Sequence, residues 1–268
     1  MRLLIEGPDG AGKSTICAGL TNAIPGLLVV NDPNHLLGHM RGSEHYTSLR
    51  DIFLHPFLAG NSGVTGTRPT PYLATITGRA LNEPMNPKAS QLLILAGEIM
   101  TADHVDEQLR RGLFNACVHD RWVLSTLVYQ AITAKNLSSH ERTQTINRIV
   151  TSYLDTLNTY QFDLTIMLQV NEEDEDRVFD RLNADEPDVF EPVNRDAAKK
   201  SFKERCAAYR SLLFRIEGEV PAASAYRFIS KFGGIGGIRD LNAADPVADN
   251  LERILTFVRS VCPKVLKT

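Results

Sequence analysis

The residues most able to do chemistry lie near the amino terminus. Gly7-Pro8-Asp9-Gly10-Ala11-Gly12-Lys13-Ser14 fits the pattern G-x-x-x-x-G-K-[ST]. Glycines at this spacing let backbone N–H groups converge on phosphate oxygens, and the positive end of a following helix lies behind them. Gly7, Gly10, Ala11, Gly12, Lys13, Ser14 and Thr15 would therefore wrap a nucleoside triphosphate. Lys13 would reach its β- and γ-phosphates, and the Ser14 hydroxyl would ligate Mg²⁺. The flanks agree, because Arg2 to Glu6 reads as a short buried strand and Ser14 to Leu20 as the first turns of a helix.

A second group follows far downstream. Val118-His119-Asp120-Arg121-Trp122 is followed by Ser125, Thr126, Tyr129 and Gln130. An acidic residue at a strand end beside a phosphate loop can order Mg²⁺ water or orient an attacking oxygen, and Asp120 is placed to do so. Arg121 offers a planar fork suited to a second phosphate. Tyr129 and Gln130 fall about one turn beyond Ser125 and Thr126, so these side chains would line one wall. The plainer alternative is an Asp–Arg ion pair closing a strand, followed by an ordinary amphipathic helix.

These groups must be carried by a scaffold, and the hydrophobic pattern supplies one. Strand-like runs at 3–6, 27–30, 116–120 and 164–170 alternate with helical stretches at 15–23, 90–113, 125–134, 140–157, 172–182 and 196–215, with a last helix at 246–261. Two weaker runs, 226–229 and 236–241, compete for a fifth strand. Such alternation predicts a parallel sheet covered on both faces, an α/β/α three-layer fold of five strands with ligands beyond the strands' carboxyl ends. Both motifs follow strand ends, so they should share one crevice. The Gly-rich run from Phe232 to Gly237 lacks a lysine and a following helix start, and reads as a turn.

A length of 268 residues suits one domain with insertions. The segment 56–87, rich in Gly, Pro, Thr and Asn, interrupts the pattern and reads as an inserted loop. Net charge −3 supplies no basic field for non-specific polyanion binding. Cys17, Cys117, Cys206 and Cys262 show no C-x-x-C spacing and read as reduced thiols of a cytosolic protein. No stretch is apolar enough to span a membrane, and a cleaved leader would remove the phosphate loop.

The two motifs together resemble the thymidylate kinase family, whose P-loop has the form G-x-D-G-x-G-K-[ST]-T and whose second motif is D-R-[YHF]-x-x-S-[TN]-x-A-Y-Q. Here they stand as Gly7 to Thr15 and Asp120 to Gln130. Four further stretches are similar to the family: Gly42 to Leu54, ending Leu49-Arg50-Asp51-Ile52-Phe53-Leu54; the run from Phe162 to Val170; Asp176-Arg177-Val178-Phe179-Asp180-Arg181 leading into a lid at 177–198; and Asn242-Ala243-Ala244 followed by Val247 to Ile254, similar to the closing strand and helix. The resemblance implies a single P-loop NTPase domain with a helical lid, using ATP and Mg²⁺ to phosphorylate dTMP or a close pyrimidine deoxynucleotide. It implies that Asp9 holds the sugar hydroxyl or acceptor-phosphate region, that Arg50 and Arg121 clamp the acceptor phosphate, and that Asp120 organises Mg²⁺. Thr126 and Gln130 would then face the base, Ser125 would belong to the same substrate wall, and Tyr129 would pack under the deoxyribose. Arg177 and Arg181, four residues apart on one helix face, would supply lid charge. The family is usually a homodimer packed through helices; the residues by themselves do not speak to oligomeric state.

The departures are as informative as the matches. The family's F-A-x-x-R stretch, which supplies a stacking ring and a base-contacting Arg, falls on Leu93 to Met100, which has neither. The R-E-P-G turn becomes Asn31-Asp32-Pro33-Asn34, D-R-[IF]-E in the lid becomes Asp188-Val189-Phe190-Glu191, and Gly10 leaves no P-loop arginine. Two alternatives follow. One is a kinase acting on a hydroxymethylated base, as a nucleotide or within DNA, with Arg68, Arg79 and Lys88 touching the backbone. The other is a degenerate nucleotide-binding module.

Overall fold

The computed structural model describes residues 1–30, 87–135, 137–181 and 195–266. Its centre is strand β1 (Arg2–Glu6), whose alternating side chains enter two cores. Leu4 packs with Trp122, Tyr153, Phe162, Tyr209 and Phe228 on one face, while Leu3 and Ile5 pack with Ile16, Leu20, Ile254 and Val258 on the other. Helix α1 (Lys13–Ala23) follows, then β2 (Leu27–Val30). After them come α2 (Pro87–Arg110), β3 (Ala116–Asp120) and the short α3 (Val123–Leu127). The chain continues through α4 (Ser139–Thr156), β4 (Leu164–Gln169), α5 (Glu175–Phe179), α6 (Arg195–Glu219), α7 (Ala222–Ser230), β5 (Gly237–Asn242) and α8 (Val247–Val261).

The strands form one parallel sheet in the order β2-β3-β1-β4-β5, sandwiched between helices, which is the expected α/β/α architecture. Ile5 pairs with Asp120 of β3 on one side and Ile166 of β4 on the other, so the ends of β1 and β3 finish level. That register carries the turn after Glu6 and the turn after Asp120 to the same rim. No helix among the described residues is long and apolar enough to cross a membrane. Cys17, Cys117 and Cys206 are buried, and burial pushes their thiols up, to about 12 for Cys117 and Cys206.

One open alternative is decided and two local readings are corrected. Residues 226–229 are helical, inside α7, and the fifth strand is the glycine-led run that pairs Gly237 with Leu164. The apolar residues of 226–229 serve a helix because Ala225 and Phe228, three apart, both face the core while Tyr226 stays exposed. The stretch 125–134 is not one regular helix: α3 passes into a π-helical turn, Val128–Ile132, in which Thr133 N–H donates to Val128 O at 3.0 Å. Helix α5 ends at Phe179, so Arg181 lies beyond it and shares no helix face with Arg177. The insert at 56–86 and most of the proposed lid, 182–194, lie outside the described residues, and Pro87 already belongs to α2.

Candidate active site

The loop between β1 and α1 takes backbone conformations that side chains resist. Gly10 and Gly12 have φ of 72° and 82°. At Gly7 (φ 151°) a Cβ atom would sit 2.6 Å from the carbonyl oxygen of Leu168 in β4. Helix α1 begins without a side-chain cap, leaving its first N–H groups directed at the loop. Lys13 is buried, and its Nζ donates to Pro8 O at 2.7 Å. Burial and the Arg121 charge pull the Lys13 ammonium down to about 8, against the opposing pull of Asp9, Asp120 and Glu6. Ser14 and Thr15 stand exposed on the first helical turn.

Ser14 connects this loop to the second motif. Its Oγ donates to Asp120 Oδ2 at 2.8 Å, while Asp120 Oδ1 is buried with no hydrogen-bond partner. Arg121 comes next, with φ 75°, and is the non-glycine residue of positive φ among the described residues. Holding a side chain in that region costs about 1–3 kcal/mol, and the guanidinium it delivers is heavily engaged. Nη2 pairs with Asp9, and Nη1 donates to Tyr129 OH at 3.3 Å, Ser125 Oγ at 3.4 Å and Gly7 O at 3.5 Å. Tyr129 OH donates to Asp9 Oδ2 at 2.7 Å, so one carboxylate binds the arginine and the phenol together. Burial works against the Asp9 charge, but Arg121, Lys13, the Tyr129 hydrogen bond and Arg205 outweigh it and hold its carboxyl down at about 2.

Behind Arg121 lies a buried polar layer. Glu6, fully enclosed, accepts from Trp122 N–H at 2.7 Å, Ser125 N–H at 3.3 Å and Ser125 Oγ–H at 2.6 Å. Tyr209 of α6 sits 2.7 Å from Ser125 Oγ and 3.5 Å from Glu6. Burial pushes the Glu6 carboxyl up to about 7, although the Ser125 hydrogen bond, Arg121 and the two N–H groups all draw it down. Trp122, 1% exposed, donates its indole N–H to Tyr153 OH at 3.0 Å and stacks on Tyr160. His119 is part of that aromatic packing: Tyr160 OH lies 2.8 Å from its Nε2, and burial with the Arg2 charge lowers it to about 3.

The expected residues therefore divide. Gly7, Asp9, Gly10, Ala11, Gly12, Lys13, Ser14, Thr15, Asp120, Arg121 and Tyr129 are gathered at one rim. Thr126 and Gln130 are half-buried on the same α3–π segment. Ser125 is at the rim too, but its hydroxyl is turned inward onto Glu6 and Tyr209. Arg177 pairs with Asp174 at 2.8 Å, within the acidic run that precedes it, and Arg181 donates to Ala243 O and Ala244 O at 3.4 Å. Neither bonds to the P-loop or to the Asp120–Arg121 pair in this structure. Arg50, Arg68, Arg79 and the substituted stretches 31–34 and 188–191 lie outside the described residues, as does the Lys88 side chain.

Sequence reasoning missed Glu6, Arg205 and Tyr209. Arg205, 5% exposed on α6, holds its guanidinium 5.4 Å from the Tyr129 ring centre, the same distance as Arg121. Arg205 and Tyr209 are four apart on one face of α6, a spacing visible in the sequence but shared by many unrelated pairs. The assembled site can hold a polyphosphate at the P-loop and a second anion beside Arg121, with Ser14 and Asp120 between them.

No family model matches the chain. A thymidylate kinase of Lactobacillus delbrueckii subsp. bulgaricus is 30% identical over 178 residues, 63% of this chain and 63% of that protein. One from Lactobacillus helveticus is 30% identical over 166 residues, 59% of this chain and 61% of the relative. The chain thus matches less than two thirds of the length of either. The solved structure of a thymidylate kinase from Candida albicans superposes with a TM-score of 0.56 at 13% identity, covering 99% of this chain and 93% of that one, a likeness of fold.

Proposed function

We propose that the chain, which is similar over about 60% of its length to thymidylate kinases, transfers the γ-phosphoryl group of ATP to a deoxynucleoside monophosphate, dTMP or a close pyrimidine analogue. The observation that carries this reading is the link from donor loop to acceptor clamp: Lys13 and Ser14 meet Asp120 and Arg121 across the 2.8 Å Ser14–Asp120 hydrogen bond. The acceptor's phosphate oxygen attacks the γ-phosphorus as the bond from that phosphorus to the β-bridging oxygen breaks, and ADP leaves. The attacking oxygen is already anionic, so no general base is needed. The chain supplies position and charge, which is what a loose phosphoryl transition state requires.

Lys13 carries the donor side. Its ammonium would exchange Pro8 O for phosphate oxygens, and the negative phosphates would favour its charged form. Arg121 carries the acceptor side, already oriented by Asp9 and Tyr129 before any ligand arrives. Tyr129 would lie beneath the sugar, with Asp9 at its hydroxyl edge. Ser14 and Asp120 fit a Mg²⁺ ion, because Asp120 Oδ1 is a buried carboxylate oxygen with no partner. Among the described residues no group of three His, Cys, Asp or Glu could hold a metal alone, so such an ion would be shared with the nucleotide's phosphates. Mg²⁺ would neutralise charge developing on the bridging and γ-oxygens. A module that only binds nucleotide has no use for a second anion clamp, which disfavours the degenerate reading. Buried thiols and this family likeness suit the cytoplasm.

The test is a coupled ADP-release assay with ATP and Mg²⁺ against dTMP, dUMP, 5-hydroxymethyl-dUMP and dCMP. We expect turnover with at least one. Folded protein that turns over none of them overturns the reading.

A further inference from the structure

We propose that Glu6 and Tyr209 are positioning residues that hold the Arg121 turn from behind and so set affinity for the acceptor without touching either substrate. The inference rests on the kinase reading above only for which ligand is measured; its basis is the buried layer itself.

Arg121 occupies a conformation that an arginine does not choose. Something must over-determine it, and the hydrogen bonds identify what does. Its own N–H donates to Ile5 O at 3.0 Å, which extends the β1–β3 pairing by one residue. The next N–H, from Trp122, is captured by Glu6 at 2.7 Å, and the N–H and hydroxyl of Ser125 are captured by the same carboxylate. One side chain at the end of β1 thus ties down two positions just beyond Arg121. Tyr209 closes the arrangement from α6, reaching a residue 203 positions away in the chain, and fixes the hydroxyl of Ser125 at 2.7 Å. Ser125 Oγ in turn accepts from Arg121 Nη1 at 3.4 Å, so backbone and guanidinium are steadied by the same buried oxygen atoms.

Glu6 is fully enclosed and Tyr209 is 1% exposed, so neither can contact a substrate. Neither hydrogen-bonds Lys13 or Ser14, the donor-side pair. Loosening the brace should therefore weaken the acceptor clamp more than ATP binding, which Glu6 reaches only through its charge on Lys13, whereas a merely structural role would affect both alike. In Glu6→Gln the amide oxygen can still accept the two N–H groups, but the amide nitrogen faces Ser125 Oγ as a donor, and that hydroxyl must turn to Tyr209. Tyr209→Phe removes one oxygen atom and leaves the ring packing intact, so it serves as the variant expected to fold if the other does not.

The experiment measures KM for dTMP and for ATP separately in the wild-type protein, both single variants and the double variant, with ATP affinity by calorimetry and thermal unfolding as a fold check. We expect KM for dTMP to rise about 10-fold in Glu6→Gln and about 3-fold in Tyr209→Phe, as loss of a charged and a neutral hydrogen bond respectively would give. ATP affinity should stay within about 2-fold in Tyr209→Phe, and in Glu6→Gln, where the pull of Glu6 on the Lys13 charge is lost, it should change less than KM for dTMP. The double variant should fall short of the product, because both changes act through Ser125. Unchanged dTMP KM in folded variants, or equal losses for both substrates, overturns the proposal. A wild-type protein with no turnover defeats the kinase reading instead. In that case crystal structures of the variants decide: a redistributed Arg121 φ upholds the brace, and an Arg121 still at positive φ in both overturns it.

Discussion

The Asp9 carboxylate permits a prediction worked through to numbers. Its two oxygens are fully used, one by Arg121 and one by Tyr129, and its titration moves from 3.8 to about 2 on folding. A carboxyl lowered by folding contributes stability that is present above its unfolded value and is lost as pH falls through its folded one. The shift corresponds to about 2 kcal/mol at neutral pH by proton linkage. Asp9 is 28% exposed, so screening reduces the expectation to about 1–2 kcal/mol. Asp9→Asn keeps one acceptor oxygen and removes the charge, so it should lose most of this increment. Thermal unfolding of wild type and variant at pH 7 should then differ by roughly 2–8 °C for a chain of this size. The gap should shrink by roughly half at pH 3, where the unfolded carboxyl is largely protonated and the folded one is not. Equal midpoints at pH 7, or a gap that holds steady down to pH 3, would refute the claim that ionised Asp9 is stabilised by its cationic neighbours.

Two further outcomes follow from the same rim. Lys13 is held down at about 8, so the free protein loses its phosphate-facing charge above that value, and ATP affinity measured by calorimetry should weaken about tenfold between pH 7 and pH 9. Its contribution to stability has the opposite sign, costing stability below pH 8 and fading as pH rises toward the ordinary lysine value. A pH-independent ATP affinity over that window would contradict the burial of Lys13. Gly7→Ala would drive a Cβ to 2.6 Å from the Leu168 carbonyl at a φ that alanine avoids, and should destabilise by at least about 2 kcal/mol, read as a drop in urea midpoint; a variant of unchanged midpoint would show that β4 can yield.

Much of this site was written in short range. The glycines, Lys13 and Ser14 are neighbours in sequence, as are Asp120 and Arg121, and a strand pattern before each group was enough to put both at strand ends. The remainder depends on distance along the chain. Glu6 looks like the last residue of a strand, and nothing local distinguishes a solvated carboxylate from one buried under Trp122. Tyr209 and Arg205 belong to a long, largely polar helix whose inner face becomes visible only once it is laid against α3 and the π turn. The π turn, with Val128 and Ile132 buried in the core, departs from the 3.6-residue period by which a sequence is read. The two runs competing for the fifth strand show the same limit: Tyr226 to Ile229 is apolar enough for either periodicity, and the second run is the one that pairs, Gly237 with Leu164.

One side chain next to the reactive groups has a practical use. The chain contains a single tryptophan, Trp122, sealed from water, bonded through its indole to Tyr153 and following Arg121 directly in the chain. Its emission is therefore a label-free optical gauge placed by the fold itself, reporting from one known position. Any rearrangement of the neighbouring peptide on loading the second anion subsite would register as a change in wavelength or intensity, in real time and without a dye.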